Sequence, residues 1–194
     1  MNPLKHDLVQ KVFGITGSSN MLAETIDAID RATRDAHTSN KWQRDVQYFS
    51  VHFGPEDGCP AKERQVILPP LLRKITEVMV KIQRESKPQV AKVAKSYSSH
   101  LLNTAPTKAV LLGNVLHVSA SDIFNDVIIG GFGRPNTGDE VYDSWIARDY
   151  PNVIIYNAAA QVLSDLGDTS SIINFQLGKT ALDRMILPEE VVTS

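Results

Sequence analysis

The sequence predicts an α+β fold in which N-terminal and C-terminal helices form a bundle and a small antiparallel β-meander is inserted between them. Three observations carry this expectation. Residues Leu22, Ile26, Ile29, Thr33 and Ala36 recur at helical spacing near one end, and Ile154, Ile155, Ala158, Ala159, Val162 and Leu166 do so near the other. Between them lie β-branched and aromatic runs at residues 46–53, 108–112 and 115–119. Two of those runs are joined by Gly113 and Asn114 alone, a link that suits a tight hairpin because both residue types tolerate positive φ.

Taken in order, the first element is a short amphipathic helix over residues 4–13, ended by a turn from Gly14 to Gly17. A longer helix over 20–37 follows. Ser18, Ser19 and Asn20 offer caps, Glu24 suits the positive helix start, and Asp27–Arg31 and Asp30–Arg34 are acid-before-base pairs four apart. The strands fall between residues 42 and 130. They open with 46–53 and pass a loop rich in glycine and proline at 54–60. Residues 72–82 fit helix and strand periods both, and the charged neighbours of Val78, Val80 and Ile82 favour a strand. Val127 to Ile129 makes the last strand, stopped by Gly130, Gly131 and Gly133. Pro151 opens a helix over 151–166, Gly167 ends it and Asp168 caps the next, over 169–186, whose apolar face is read as Ile172, Ile173, Leu177, Ala181 and Met185. Pro188 stops that helix. Residues 1–186 thus read as a single domain and 187–194 as a C-terminal tail.

The chain of 194 residues is 42% hydrophobic and 22% charged, an ordinary globular composition that excludes wholesale disorder. Its net charge of -2 excludes a surface built entirely to hold nucleic acid. No apolar run approaches the roughly 18 residues of a membrane span, and the first residues lack the apolar core of a signal peptide. A single cysteine, Cys59, rules out an internal disulfide and points to a reducing cytoplasm. The charges are segregated: residues 73–108 hold eight basic and two acidic side chains, for +6, and residues 121–194 hold four basic and eleven acidic, for -7.

The search for chemistry returns no strong motif. Gly131-Phe132-Gly133-Arg134 lacks the third glycine of a dinucleotide fingerprint, and Pro135 stands where a helix would gather N–H donors. Gly14-Ile15-Thr16-Gly17-Ser18-Ser19 lacks the lysine of a P-loop. No histidine pair has metal-ligand spacing, so no metal and no cofactor are expected. Cys59, with one of His52, His100 or His117 as its base, defines a cysteine-dependent hydrolase as an alternative.

Two stretches carry a family resemblance. One is Ile29-Asp30-Arg31-Ala32-Thr33-Arg34-Asp35-Ala36-His37, followed by Trp42. The other is Trp145-Ile146-Ala147-Arg148-Asp149-Tyr150-Pro151-Asn152-Val153-Ile154-Ile155-Tyr156-Asn157-Ala158-Ala159-Ala160. They resemble the head-to-tail adaptor proteins of tailed bacteriophages, also called connector or head-completion proteins. The first looks like the family's N-terminal helix with an aromatic residue opening the first strand, and the second like its Tyr-Pro start of an alanine-rich helix.

The resemblance implies a structural virion protein without enzymatic activity, made in the host cytoplasm and placed in the neck between head and tail. Adaptors of this kind form a ring, usually of about twelve copies. They bind the portal protein on one side and a tail nozzle or tail-tube protein on the other. DNA passes through the lumen without sequence-specific binding during ejection, and no membrane is involved. On this reading Leu187, Val191 and Val192 dock on the portal, and Trp145, Tyr150 and Pro151 fix a packed hinge ahead of the last helices. Lys87, Lys92 and Lys95 face lumen DNA, and the +6 and -7 segments supply complementary faces between copies. Another neck or tail ring protein, such as a tail terminator, is the nearest alternative.

Overall fold

The computed structural model describes residues 1–54, 62–82, 87–94, 96, 98 and 105–186. The chain divides into two compact units, one of residues 1–45 with 134–194 and one of residues 46–133. In the first, helix α1 (Pro3–Thr16) begins under the Asn2 side chain, which accepts from the Leu4 N–H, and runs past Gly14 to a left-handed Gly17 at φ 66°. Helix α2 (Leu22–Ser39) starts two residues later than its polar flank suggests, with Met21 at the cap position and no side-chain cap bond. The later segment supplies α3 (Trp145–Asp149), α4 (Pro151–Asp165) and α5 (Ser171–Ile186). The helical core draws Leu8, Val9 and Val12 from α1, Ala28, Ile29, Ala32 and Ala36 from α2, and Val153, Ile154, Ala158 and Val162 from α4. Trp42, expected to open the first strand, is instead fully buried in this core, and its indole N–H donates to the Ala36 carbonyl at 3.0 Å.

The second unit corrects the expected meander. Its strands form two four-stranded sheets, β1 (Val46–His52), β8 (Phe124–Gly133), β3 (Leu72–Ile82) and β4 (Gln89–Val90) in one, and β2 (Glu63–Ile67), β7 (Val115–Ala120), β6 (Thr107–Leu112) and β5 (Lys92–Ala94) in the other. A third, two-stranded sheet, β9 (Asn136–Thr137) with β10 (Tyr142–Asp143), belongs to the helical unit. Strands consecutive in the chain pair across the Gly113–Asn114 turn, where Leu112 faces Val115 and Gly113 takes φ 63°, and also as β3 with β4 and as β5 with β6, the last of these parallel. The central pairings are distant: β1 lies on β8, with Val46 opposite Phe132, β2 lies on β7, and β3 lies on β8. Alternation fixes which side chains share a face, not which strand lies alongside, so a chain-order meander overreads it. Val66, Leu116, Val118 and Ala109 from one sheet share a core with Val78, Val80, Phe124, Val127 and Ile129 from the other, so the two sheets pack face to face.

The glycines read as a strand stop lie inside β8. Each sits where a neighbour comes too close for a side chain: a Cβ on Gly131 would meet the Lys74 carbonyl oxygen and stand 2.6 Å from Leu72 Cδ1, and one on Gly130 would stand 2.9 Å from Tyr48 Cε1. The β3–β8 register shifts between Leu72 and Lys74 and between Ile75 and Glu77, beside these glycines. Gly14, by contrast, has nothing within 4 Å of its added Cβ and lies in a helix. Gly131→Ala is therefore expected to destabilise the protein by about 1–3 kcal/mol through overpacking. Gly14→Ala is expected to stabilise it by up to about 1 kcal/mol through helix propensity. Urea denaturation of both variants checks the opposite signs.

Candidate functional site

The helical unit is assembled from two chain segments, and a buried polar network joins them. Lys5, one turn into α1, is fully buried. Its ammonium donates to Asp30 of α2 at 3.0 Å, to the Thr137 carbonyl at 2.9 Å and to Asp139 at 2.8 Å, with the Tyr142 ring 5.7 Å away. The three oxygens satisfy all three donors of an ammonium that water does not reach. Burial raises the Asp30 carboxyl above its ordinary range even with Lys5 beside it. The same ammonium, by hydrogen bond and charge, lowers that of exposed Asp139. Tyr142, buried on β10, shares a 2.6 Å hydrogen bond with Thr33 of α2.

A second part of the network sits where α2 ends. His37 Nδ1 is 2.8 Å from Asp45 and its Nε2 is 2.9 Å from the Ser144 hydroxyl, all three side chains buried. This is the order of a serine–histidine–aspartate relay. The Ser144 hydroxyl is only 2% exposed, however, and it accepts the Ala147 N–H at 3.1 Å as the N-cap of α3. A nucleophile needs an accessible oxygen; here the oxygen holds a helix start. Asp45 also accepts from the Trp145 indole N–H at 2.8 Å.

Trp145 stands at the centre of the aromatic contacts here, edge-on to His37, Trp42 and Tyr150 at 5.8, 5.9 and 6.3 Å, with the Arg44 guanidinium 4.3 Å from its ring. Tyr150 caps α4 and Pro151 takes its first turn. The structure thus brings Trp145, Tyr150 and Pro151 together. Lys87 and Lys92 are exposed in the other unit. Leu187, Val191, Val192, Lys95, Cys59 and His100 lie outside the described residues. His52 pairs with Asp126 at 2.7 Å, and His117 lies on β7. Among the described residues no group of three or more His, Cys, Asp or Glu side chains is placed to hold a metal ion, and no helix is long and apolar enough to cross a membrane.

The feature the sequence reading misplaced is α5. Of the apolar set chosen from the spacing, Met185 is buried and Ala181 packs on the helical core, but Ile172, Ile173 and Leu177 face outward, and Asn174 and Gly178 are buried in their place. Ile172, Ile173 and Phe175 are 60–63% exposed and Leu177 is 43% exposed. The close approach of Gly178 to α4 accounts for this rotation: a Cβ there would stand 2.7 Å from the Asn157 side-chain oxygen, and Asn157 is itself tied to the Val153 carbonyl at 2.7 Å. Small residues turned inward force the large ones outward. Beside α5 an open groove of about 520 Å³ is lined by Arg31, Gln161, Asp165, Ile172 and Phe175 among others. No protein-family model matches the chain, and no curated protein matches it.

Burial holds the Tyr142 phenol up at about 12, against an ordinary 10. Because the fold favours the neutral phenol, this group's contribution to stability is full below pH 10 and is lost as the pH rises through about 12. In an alkaline titration followed by ultraviolet absorbance, a tyrosine step near pH 12 is expected in the wild type and absent from Tyr142→Phe.

Proposed function

We propose that the protein is a structural ring component of a tailed-bacteriophage neck, a head-to-tail adaptor that binds the portal and encloses the DNA channel. The observation that carries this reading is the outward apolar face of α5. Ile172, Ile173 and Phe175 stand in water on a helix whose inner side is already seated. Large apolar side chains gathered on the exposed side of one helix mark a protein completed by assembly. The resemblance of residues 29–42 and 145–160 to the adaptor family names the assembly.

Two further features support it. The buried network ties the two chain segments of the helical unit together through Lys5, Thr33 and His37, as a load-transmitting part requires. The +6 segment 73–108 lies wholly within the β unit, whereas the acidic C-terminal segment belongs mostly to the helical unit, so each copy presents fields of both signs. Exposed Lys87 and Lys92 belong to that basic field and suit non-specific contact with passing DNA. In this role Leu187, Val191 and Val192 dock on the portal.

Sedimentation velocity of the 21.4 kDa chain mixed with rings of its phage's portal protein tests the reading. Co-migration at about one copy per portal subunit is the expected result. A chain that stays out of the portal peak at every ratio overturns it.

A further inference from the structure

The exposed side of α5 is not one patch but two. At about 100° per residue, Asn174, Gly178, Ala181 and Met185 point inward, and the polar residues Gln176 and Asp183 form the outer ridge. Ile172 and Phe175 lie on one side of that ridge and Ile173 and Leu177 on the other. The first pair lines the groove, whose walls also carry Arg31 from α2 and Asp165 from α4. Gln161, in the same wall, has a buried side-chain oxygen that accepts no hydrogen bond. The second pair is not among the residues lining this groove, and Arg184 follows it on the same flank.

We propose that α5 is the head-to-tail contact between copies of this chain: the Ile173–Leu177 flank of one copy enters the groove beside Ile172 and Phe175 of the next. This deepens the ring reading and rests on it. Two points favour a second copy as the occupant. A two-fold contact would bury one flank twice and leave the other in water, whereas a heterologous contact covers both flanks and propagates until it closes. The charges are complementary: Arg184, on the same flank as Ile173 and Leu177, brings a base to Asp165 in the receiving wall.

The test is a complementation experiment on the full chain without any portal present. Phe175→Asp cripples the groove and Ile173→Asp the opposite flank; both sites are about 60% exposed, so each variant is expected to keep its fold, which circular dichroism checks. In sedimentation equilibrium at rising concentration the wild type is expected to exceed the 21.4 kDa of one chain, while each variant alone stays at that mass. An equimolar mixture of the two variants is expected to reach twice that mass and no more, because each supplies the face the other lacks and the remaining faces are both dead. Should one variant alter the fold, Ile172→Ser and Leu177→Ser repeat the pairing. A wild type that remains a single chain at the highest concentration, or variants whose mixture does not pair, overturns the proposal. Portal binding that persists in such a case leaves the adaptor reading standing, so the two failures are separable.

Discussion

An ammonium buried among helices has to be neutralised where it lies, and that requirement organises the helical unit. Lys5 finds its partners in Asp30, Thr137 and Asp139, two of which come from the far side of the inserted β unit. Removing either carboxylate would leave one donor of the buried ammonium unsatisfied, so the bonds are more useful as a lock on geometry than as a source of net stability. The same two segments are joined again by Thr33 with Tyr142, His37 with Ser144, Asp45 with Trp145 and Arg44 with Asp149. Each of these pairs spans the insertion. The helical unit can therefore close on itself even though the chain leaves it at Asp45 and returns at Arg134.

With that unit closed, α5 gathers four of the unit's exposed large apolar side chains, Ile172, Ile173, Phe175 and Leu177, on one helix. It adds only Met185 to the buried helical core and approaches α4 through Gly178 and Asn157. A helix that turns small residues inward and isoleucine and phenylalanine outward gains little apolar burial within its own chain. Its apolar energy becomes available on association, where a second surface excludes water from both flanks. The division of labour is physical: polar bonds fix the shape of the unit, and unburied apolar area drives its assembly.

Much of the fold was legible in the sequence. Most of the inward faces of α2 and α4 and the hairpin at Gly113–Asn114 follow from period and turn chemistry, with Leu22 and Leu166 at the helix ends exposed against expectation. Residues 72–82 fit both periods, and only their charged neighbours favour the observed strand. What stayed hidden shares one cause, since local pattern carries no information about distant partners. Gly130, Gly131 and Gly133 look like punctuation, yet they are close-approach positions within β8 that only the β1 and β3 neighbours explain. Lys5 looks like a surface lysine because its acids lie at 30 and 139. In α5 the spacing places Ala181 and Met185 inward correctly, but hydrophobicity adds Ile172, Ile173 and Leu177 to that side, where the smaller Asn174 and Gly178 pack closer. The polar signal in that helix, Asn174 four residues before Gly178 on one stripe, was present and outranked by its isoleucines.

In the proposed ring the outer flanks of α5 pass from bare in the single chain to covered in the assembly, while its inner side is covered in both. Hydroxyl-radical footprinting of the side chains, on the free chain and on the chain bound to portal rings, measures this directly. The expectation is that Phe175, Ile172 and Ile173 are oxidised in the free chain at a concentration where it is a single chain and protected in the assembly, with Met185 protected throughout. Phe175 protected in the free chain, or oxidised equally in both states, would contradict it.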